Sequence, residues 1–221
     1  MIRKNSPQLK AALNEFIKDN KIGTLFGNIL GKRYFKETKW ARNNLEPKDV
    51  GRFRNAVELF QKYGDKYDLP WLLLAALSYQ ESRIDQSVRS PAGAVGAMQL
   101  LPSTAAGDPI NITNIEKIED NIHAGTKYLR YLYDRYYKDE PMEQLDKVLF
   151  TFASYNAGPA KILKLRERAA EKGFDPNLWF ANVEVMAAEV IGSETVQYVS
   201  NIYKYYVTYD LLMKQKELKE K

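Results

Sequence analysis

One glutamate stands out as a group that could do chemistry. Glu81 ends the most apolar run of the chain, which begins at Pro70, and it follows Leu77 by four residues. Removal from water favours the neutral form of a carboxylic acid and raises its pKa, and the negative end of a helix dipole acts in the same direction. An acid that stays protonated near neutral pH can donate its proton to a leaving oxygen. The helix alone leaves an alternative open, in which Glu81 faces solvent or pairs with Arg83 or a lysine.

Composition argues against several other kinds of site. The 221 residues include no cysteine and one histidine, His123. A disulfide framework and a thiolate metal site are therefore excluded, and we expect no metal and no other cofactor. A Ser-His-Asp triad would depend on His123 alone. The net charge is +5, and 33 basic residues are interleaved with 28 acidic ones. Because nucleic-acid binders concentrate their basic residues on one face, we expect no nucleic-acid partner.

The elements that must position Glu81 are predicted to be helices. Apolar residues recur at three- and four-residue intervals, and apart from a short strand or turn near residues 96–98 no alternating pattern appears, so we predict an all-α fold. The helix that begins at Pro70 is apolar nearly all round, which indicates a buried central helix. Residues 90–107 are predicted to be irregular because they contain glycines and prolines. Further helices are predicted over residues 7–19, 50–63, 119–137, 145–154, 159–172 and 194–216.

Two parts of unequal size are predicted along the chain. Residues 1–42 hold one amphipathic helix and several glycines, and they are too short for a core of their own. They are predicted to be the end of another domain or an arm. Residues 43–221 are long enough for one domain with a sizeable core. No run approaches the roughly 18 uncharged apolar residues of a membrane-spanning helix. The polar start lacks the apolar centre of a secretory signal, so the protein is either intracellular or exported by a signal upstream of this sequence.

Four short blocks follow one another through the larger part. The first is Glu81-Ser82, the second begins after Ser90 and covers residues 93–104, and the third and fourth cover residues 153–158 and 194–199. Their types and order resemble the lytic transglycosylase domain of the soluble-transglycosylase and goose-lysozyme-like superfamily. That family has a Glu-Ser pair, a Gly-x-Met-Gln-Leu-Met-Pro-x-Thr block, an Ala-Tyr-Asn-Ala-Gly block and a Glu-Thr-x-x-Tyr-Val block.

The match has two departures from the family pattern. Leu101 stands where the family usually has methionine, and Ser154 is inserted before the Tyr-Asn pair. The first is a tolerable exchange between apolar residues, and the second leaves the Tyr-Asn pair intact. The resemblance implies an all-α, lysozyme-like fold with little or no sheet and a glycan-binding groove.

The resemblance also implies a role for each matching residue. Glu81 would be the single catalytic acid and base, and Tyr155 would hydrogen-bond Glu81 and hold it in place. The residues that would bind the glycan or support the site are Ser82, Ser90, Met98, Gln99, Asn156 and Tyr198. Within that set, Met98 and Gln99 would line the groove, although Met98 fits an apolar core equally well. Ser82 fits better as a support for the helix end than as a sugar contact.

The reaction that the resemblance implies is cleavage of the β-1,4 bond between N-acetylmuramic acid and N-acetylglucosamine in peptidoglycan. One carboxylate suffices if the sugar's N-acetyl oxygen stabilises the cationic centre and its 6-hydroxyl is the nucleophile, which leaves a 1,6-anhydro end. Two alternatives stay open. A goose-type, lysozyme-like hydrolase would need a water molecule and a second acid such as Asp85 or Asp108. A glycan-binding module would need no catalytic acid at all.

The first 42 residues carry a weaker resemblance. Residues 5–9, 23–28 and 33–35 are similar to the end of the periplasmic solute-binding domain that precedes the catalytic domain in the membrane-bound transglycosylase F type. This likeness implies a periplasmic protein associated with the outer membrane. It also implies peptidoglycan glycan strands as the partner, and muropeptides as candidate regulators that would act through an N-terminal domain upstream of this sequence.

Overall fold

A computed structural model of the chain describes residues 6–24, 27–28, 31 and 47–219. The chain divides into two compact units, Met1–Thr38 and Lys39–Lys221. In the first unit, helix α1 covers Pro7–Asn20, and Pro7 suits its first turn because the backbone N–H that proline lacks would have no partner there. The predicted boundary after residue 42 and the segment 33–35 lie outside the described residues, so both stay predictions.

The second unit is built from helices. They are α2 Pro47–Tyr67, α3 Trp71–Ser82, α4 Pro102–Ala106, α5 Ile118–Tyr136, α6 Gln144–Ala157, α7 Pro159–Glu171, α8 Glu184–Val190 and α9 Ser193–Lys219. A π-helical turn, Trp179–Val183, precedes α8. Within the described residues no strand forms, and the loop between α3 and α4 contains only isolated bridges of Val95 with Arg89 and Leu100. The predicted all-α fold is confirmed.

Helix α3 lies at the centre of this unit. All seven residues from Leu73 to Tyr79 are buried, and α9 and α2 pack against them. Burial of one leucine side chain contributes about 1.5–3 kcal/mol, so the apolar sequence of α3 is a large part of what holds the three helices together. The prediction of a buried central helix is confirmed. In the described part of the chain, no helix combines the length and apolarity needed to cross a membrane.

Sequence periodicity did not predict several short elements. Helix α4 lies inside the segment expected to be irregular, and α8 and the π-helical turn before it were not predicted. The turn contains Ala181 with a φ of 60°, and α8 has only seven residues, so neither is long enough to show a repeat. Pro47, which the sequence placed in a polar connector, instead begins α2.

Candidate active site

Glu81 lies in the last turn of α3 with a half-buried side chain. Loss of hydration raises the pKa of its carboxyl group from 4.5 to about 7, and a hydrogen bond from Tyr198 acts in the opposite direction. Among the described residues, no basic side chain pairs with Glu81, and the guanidinium of Arg83 lies 3.8 Å from Asp49 instead. The alternative in which Glu81 faces solvent or pairs with Arg83 or a lysine is therefore wrong.

The tyrosine that holds Glu81 comes from α9. The hydroxyl of Tyr198 donates a hydrogen bond to Oε1 of Glu81, and the ring of Tyr198 is buried in the core. The hydroxyl of Tyr155 donates to the backbone oxygen of Met98 at 2.8 Å, so its one proton is not available for Glu81. The predicted bond from Tyr155 to Glu81 is thus wrong. Tyr155 still lies near the acid, because Met98 follows Ala97, whose backbone oxygen accepts a hydrogen bond from Ser82. Burial, and then the charge of Glu81, raise the pKa of the Tyr155 hydroxyl well above its ordinary value.

The end of α3 is held by a left-handed turn and by Ser82. Arg83 and Ile84 both have a φ of 57°, which ends the helix directly after the motif. The hydroxyl of Ser82 donates to the backbone oxygen of Ala97 at 2.9 Å and accepts from the backbone N–H of Asp85 at 3.0 Å. Ser82 therefore ties the last turn of α3, and with it Glu81, to the loop that follows.

Met98 belongs to the core. The residue is 0% exposed, and a methyl group built on Gly125 of α5 would lie 2.8 Å from its Cβ. The prediction that the Met98 side chain lines a groove is wrong, because apolar packing against α5 encloses it completely. Its contact with the site is made by its backbone oxygen, which accepts the hydrogen bond from Tyr155.

Ser90 and Gln99 order the loop between α3 and α4. The hydroxyl of Ser90 accepts a hydrogen bond from the backbone N–H of Ala94 at 2.9 Å. The side-chain amide of Gln99 donates to the backbone oxygens of Gly96 at 2.9 Å and Val88 at 3.2 Å. Both side chains are half-buried and keep some surface in solvent. Their predicted contacts with a glycan stay predictions.

The third and fourth blocks meet where α6 ends and α9 begins. The hydroxyl of Thr195 donates to Oδ1 of Asn156 at 2.7 Å. Tyr198 follows on the same helix and reaches Glu81, which is 117 residues earlier in the sequence. The fold thus brings Glu81, Tyr155, Asn156 and Tyr198 into one region, and the loop with Ser90 and Gln99 closes around the end of α3.

A model of the transglycosylase SLT domain matches residues 58–178, more than half of the chain, and this range includes Glu81 and the first three blocks. The chain belongs to the transglycosylase SLT domain family. The resemblance inferred from the four blocks is confirmed.

Curated relatives extend the match over most of the chain. The membrane-bound lytic murein transglycosylase F of Histophilus somni is 34% identical over 91% of this chain and 44% of its own length. The protein of the same name from Desulfosudis oleivorans is 29% identical over 97% of this chain and 49% of its own length. The chain therefore spans less than half the length of these relatives.

Two solved structures have a similar fold. The 70 kDa soluble lytic transglycosylase of Escherichia coli superposes with a TM-score of 0.56 at 25% identity, over 83% of this chain and 30% of that chain. An inactive glutamate-to-glutamine mutant of the lytic transglycosylase Slt from Pseudomonas aeruginosa gives a TM-score of 0.54 at 20% identity, over 90% of this chain and 30% of that chain. Both support the all-α assignment.

Asn121 is a site-forming residue of the SLT domain that sequence reasoning missed. It is fully buried on α5, where its side-chain oxygen accepts from the backbone N–H of Met98 at 2.7 Å and its amide donates to the backbone oxygen of Val95 at 2.8 Å. It thereby fixes the loop whose carbonyl positions Tyr155. The sequence signal that could have found it is the spacing of Asn121 and Gly125, which are one turn apart on the buried face of α5. A buried amide needs hydrogen-bond partners, and a buried glycine leaves room for a close neighbour.

The two other acids considered for chemistry have different surroundings. Hydrogen bonds from the hydroxyl and N–H of Ser87, together with the nearby Arg52, lower the pKa of Asp85. Asp108 is exposed, and its one hydrogen bond among the described residues comes from Asn111 at 3.4 Å. In the part of the chain that the structure describes, no three His, Asp or Glu side chains are grouped to hold a metal ion.

Proposed function

We propose that the domain is a lytic transglycosylase, which cleaves the β-1,4 bond between N-acetylmuramic acid and N-acetylglucosamine in peptidoglycan without water. The observation that carries the proposal is the state of Glu81, a half-buried acid with a pKa of about 7 in a domain of the transglycosylase SLT family. Near neutral pH, such a group exists in both protonation states. A residue that first donates a proton and then accepts one needs this property.

The proposed reaction has two steps. Neutral Glu81 first donates its proton to the glycosidic oxygen, and the bond from that oxygen to C1 of the muramic acid breaks. The substrate's own N-acetyl oxygen shares the positive charge that develops at C1. Ionised Glu81 then removes the proton from the 6-hydroxyl of the same muramic acid as this oxygen bonds to C1. The 1,6-anhydro ring closes, the acid is regenerated and no water is consumed.

Tyr198 has a defined part in this cycle. Its hydroxyl donates to Glu81, and a hydrogen bond to a carboxylate stabilises the ionised form. Tyr198 therefore supports the acid in the interval between the two proton transfers and holds it in one orientation. We propose Ser90, Gln99 and Asn156 as contacts to the glycan, and Tyr155 as a wall of the pocket beside the acid.

The surroundings of the other acids favour a mechanism with one carboxylate. A hydrolase commonly uses a second carboxylate as nucleophile or as the base that activates water. Asp85 is bound by Ser87 and Arg52, which favours a role as an anchor, and Asp108 is exposed. Glu81, in contrast, is half-buried and has no basic partner among the described residues.

For the whole protein, we infer a periplasmic enzyme associated with the outer membrane, which acts on peptidoglycan glycan strands. Support comes from the relatives, which are called membrane-bound lytic murein transglycosylases, and from the similarity of the first 42 residues to the end of a solute-binding domain. Muropeptides are the regulators that we propose for that domain.

Analysis of the products tests the proposed function. Purified sacculi are digested in water enriched in oxygen-18, and the soluble fragments are analysed by mass spectrometry. We expect 1,6-anhydro ends, lighter than hydrolysis products by one water molecule and without the label. Labelled reducing ends would overturn the proposal in favour of a hydrolase. A Glu81→Gln sample prepared in parallel shows whether any product comes from a contaminating enzyme.

A further inference from the structure

Three tyrosine rings form a row in space that begins near Glu81. The ring centroid of Tyr155 on α6 is 5.5 Å from that of Tyr128 on α5. The ring of Tyr131 is 6.4 Å from that of Tyr128 and tilted by only 21° from it. The hydroxyl of Tyr155 donates to the backbone oxygen of Met98 at 2.8 Å, and the neighbouring backbone oxygen of Ala97 accepts from Ser82, the residue after Glu81, at 2.9 Å, so the first ring of this series lies beside the end of α3 that carries the acid. We call Tyr155, Tyr128 and Tyr131 the tyrosine row.

Tyr128 and Tyr131 are each only partly covered by the core. Tyr128 and Tyr131 are half-buried and pack against the apolar cluster that contains Leu100 and Ile110. Neither hydroxyl forms a hydrogen bond with any residue that the structure describes. The described side-chain atoms that are buried without a partner belong to other residues, so both hydroxyls reach solvent.

Two more tyrosines, one on α5 and one directly after its last residue, show what packing alone requires. Tyr133 and Tyr137 are 8% and 1% exposed, and the hydroxyl of each is hydrogen-bonded to a side chain of α6. A tyrosine used for packing usually has its hydroxyl satisfied in this way. Tyr128 and Tyr131 have flat rings and free hydroxyls on the same helix, and packing does not explain why both are tyrosine.

We propose that the tyrosine row is a saccharide-binding subsite, in which Tyr128 and Tyr131 contact an N-acetylhexosamine residue of the glycan strand whose scissile bond lies at Glu81. The apolar face of a pyranose ring stacks on a flat aromatic ring, and the phenol hydroxyl can bind the sugar's hydroxyl or acetamido groups. The position of the subsite relative to the cleaved bond rests on the proposed function, whereas the binding of saccharide does not.

Binding is measured in the Glu81→Gln background, which cannot transfer the proton and therefore leaves the ligand intact. The probe is a soluble β-1,4-linked hexamer of N-acetylglucosamine, titrated calorimetrically. Tyr131→Leu removes the flat ring and the hydroxyl but keeps apolar bulk, and we expect the Kd to rise roughly 3- to 10-fold. Tyr131→Phe keeps the ring, so its Kd is expected within about twofold to threefold of the parent.

The matched control is Tyr203→Leu on α9. Tyr203 is also half-buried, and its ring lies 5.6 Å from Phe180 and 6.3 Å from Tyr206. We expect the control to leave the Kd unchanged. In the active enzyme, Tyr131→Leu should raise KM for solubilised glycan strands with little change in kcat, because stacking is equally strong before and during the reaction.

Failure of this inference is distinguishable from failure of the proposed function. If Tyr131→Leu binds the hexamer as tightly as its parent, or loses no more than Tyr203→Leu does, the tyrosine row is not a subsite even if anhydro products form. If the wild-type chain forms no anhydro products but Tyr131→Leu still weakens hexamer binding, the subsite stands and the reaction assigned to Glu81 falls.

Discussion

Glu81 and Asp85 lie four residues apart, on the two sides of the left-handed turn that ends α3. Their pKa values are shifted in opposite directions. Burial raises the pKa of Glu81 to about 7. Hydrogen bonds from Ser87 and the charge of Arg52 lower the pKa of Asp85. An acid that keeps its proton near neutral pH and an acid that loses it readily therefore lie on either side of one turn.

The difference comes from burial at Glu81 and from hydrogen bonds and a nearby positive charge at Asp85. Glu81 accepts one hydrogen bond, from the neutral phenol of Tyr198, which only partly compensates for lost water. Asp85 accepts from the hydroxyl and the N–H of Ser87 and pairs with a guanidinium, so its charge is stabilised. We therefore expect the first acid to transfer protons and the second to anchor the turn, and substitution of each residue tests this division.

The largest expected effect is the loss of turnover in Glu81→Gln. An amide of the same shape cannot donate or accept the proton, and general acid–base catalysis contributes typically about 10²- to 10⁴-fold. We expect release of soluble muropeptides, followed by chromatography, to fall by at least that factor while binding to sacculi is retained. Turnover within tenfold of the wild type would show that Glu81 is not the proton donor.

The same substitution is expected to stabilise the fold at high pH. The pKa of Glu81 is about 7 in the folded chain and 4.5 ordinarily, so its proton stabilises the folded state fully below pH 4.5, and this contribution is lost as the pH rises through about 7. A pKa difference of that size corresponds to about 3 kcal/mol. Denaturant titrations should therefore give Glu81→Gln a larger free energy of unfolding than the wild type near pH 8. Near pH 4 the two should agree closely, and an equal gain at both pH values would point to a cause other than ionisation.

Tyr198→Phe is expected to lower turnover by about 10- to 100-fold, because one hydrogen bond to a charged group is worth about 1.5–3 kcal/mol and packing is retained. In the wild type, the hydrogen bond from Tyr198 lowers the pKa of Glu81, so the pKa of Glu81 should be higher in Tyr198→Phe. Since the proposed reaction starts from neutral Glu81, the basic limb of the kcat/KM profile should move to higher pH.

The control for that shift is Tyr155→Phe. Its hydroxyl donates to Met98 and not to Glu81, so the basic limb should stay in place whatever happens to the rate. A shift in Tyr155→Phe with none in Tyr198→Phe would reverse the roles of the two tyrosines.

Sequence predicted the central helix, its acid and the family, because apolar runs and short motifs are local signals. It did not predict which tyrosine holds Glu81. Tyr155 and Tyr198 both match family motifs, and only the packing of α9 on α3 decides that the second reaches the carboxylate. Met98 also shows what sequence cannot predict, since a methionine suits a groove as well as a core. Gly125 on α5 has no side chain, and this leaves the space in which Met98 packs against that helix.

The smallest expected effect belongs to Asp85→Asn. The amide keeps the shape but loses the charge that binds Arg52 and accepts from Ser87, so we expect the free energy of unfolding at neutral pH to fall by about 1–2 kcal/mol. Because the pKa of Asp85 is lowered in the folded chain, this contribution is present above the ordinary value of about 3.8 and is lost as the pH falls below it. The stability difference should therefore disappear in acid, whereas turnover should stay within a few-fold of the wild type. If turnover instead fell as steeply as in Glu81→Gln, Asp85 would be a second catalytic carboxylate, and the chemistry would be that of a hydrolase.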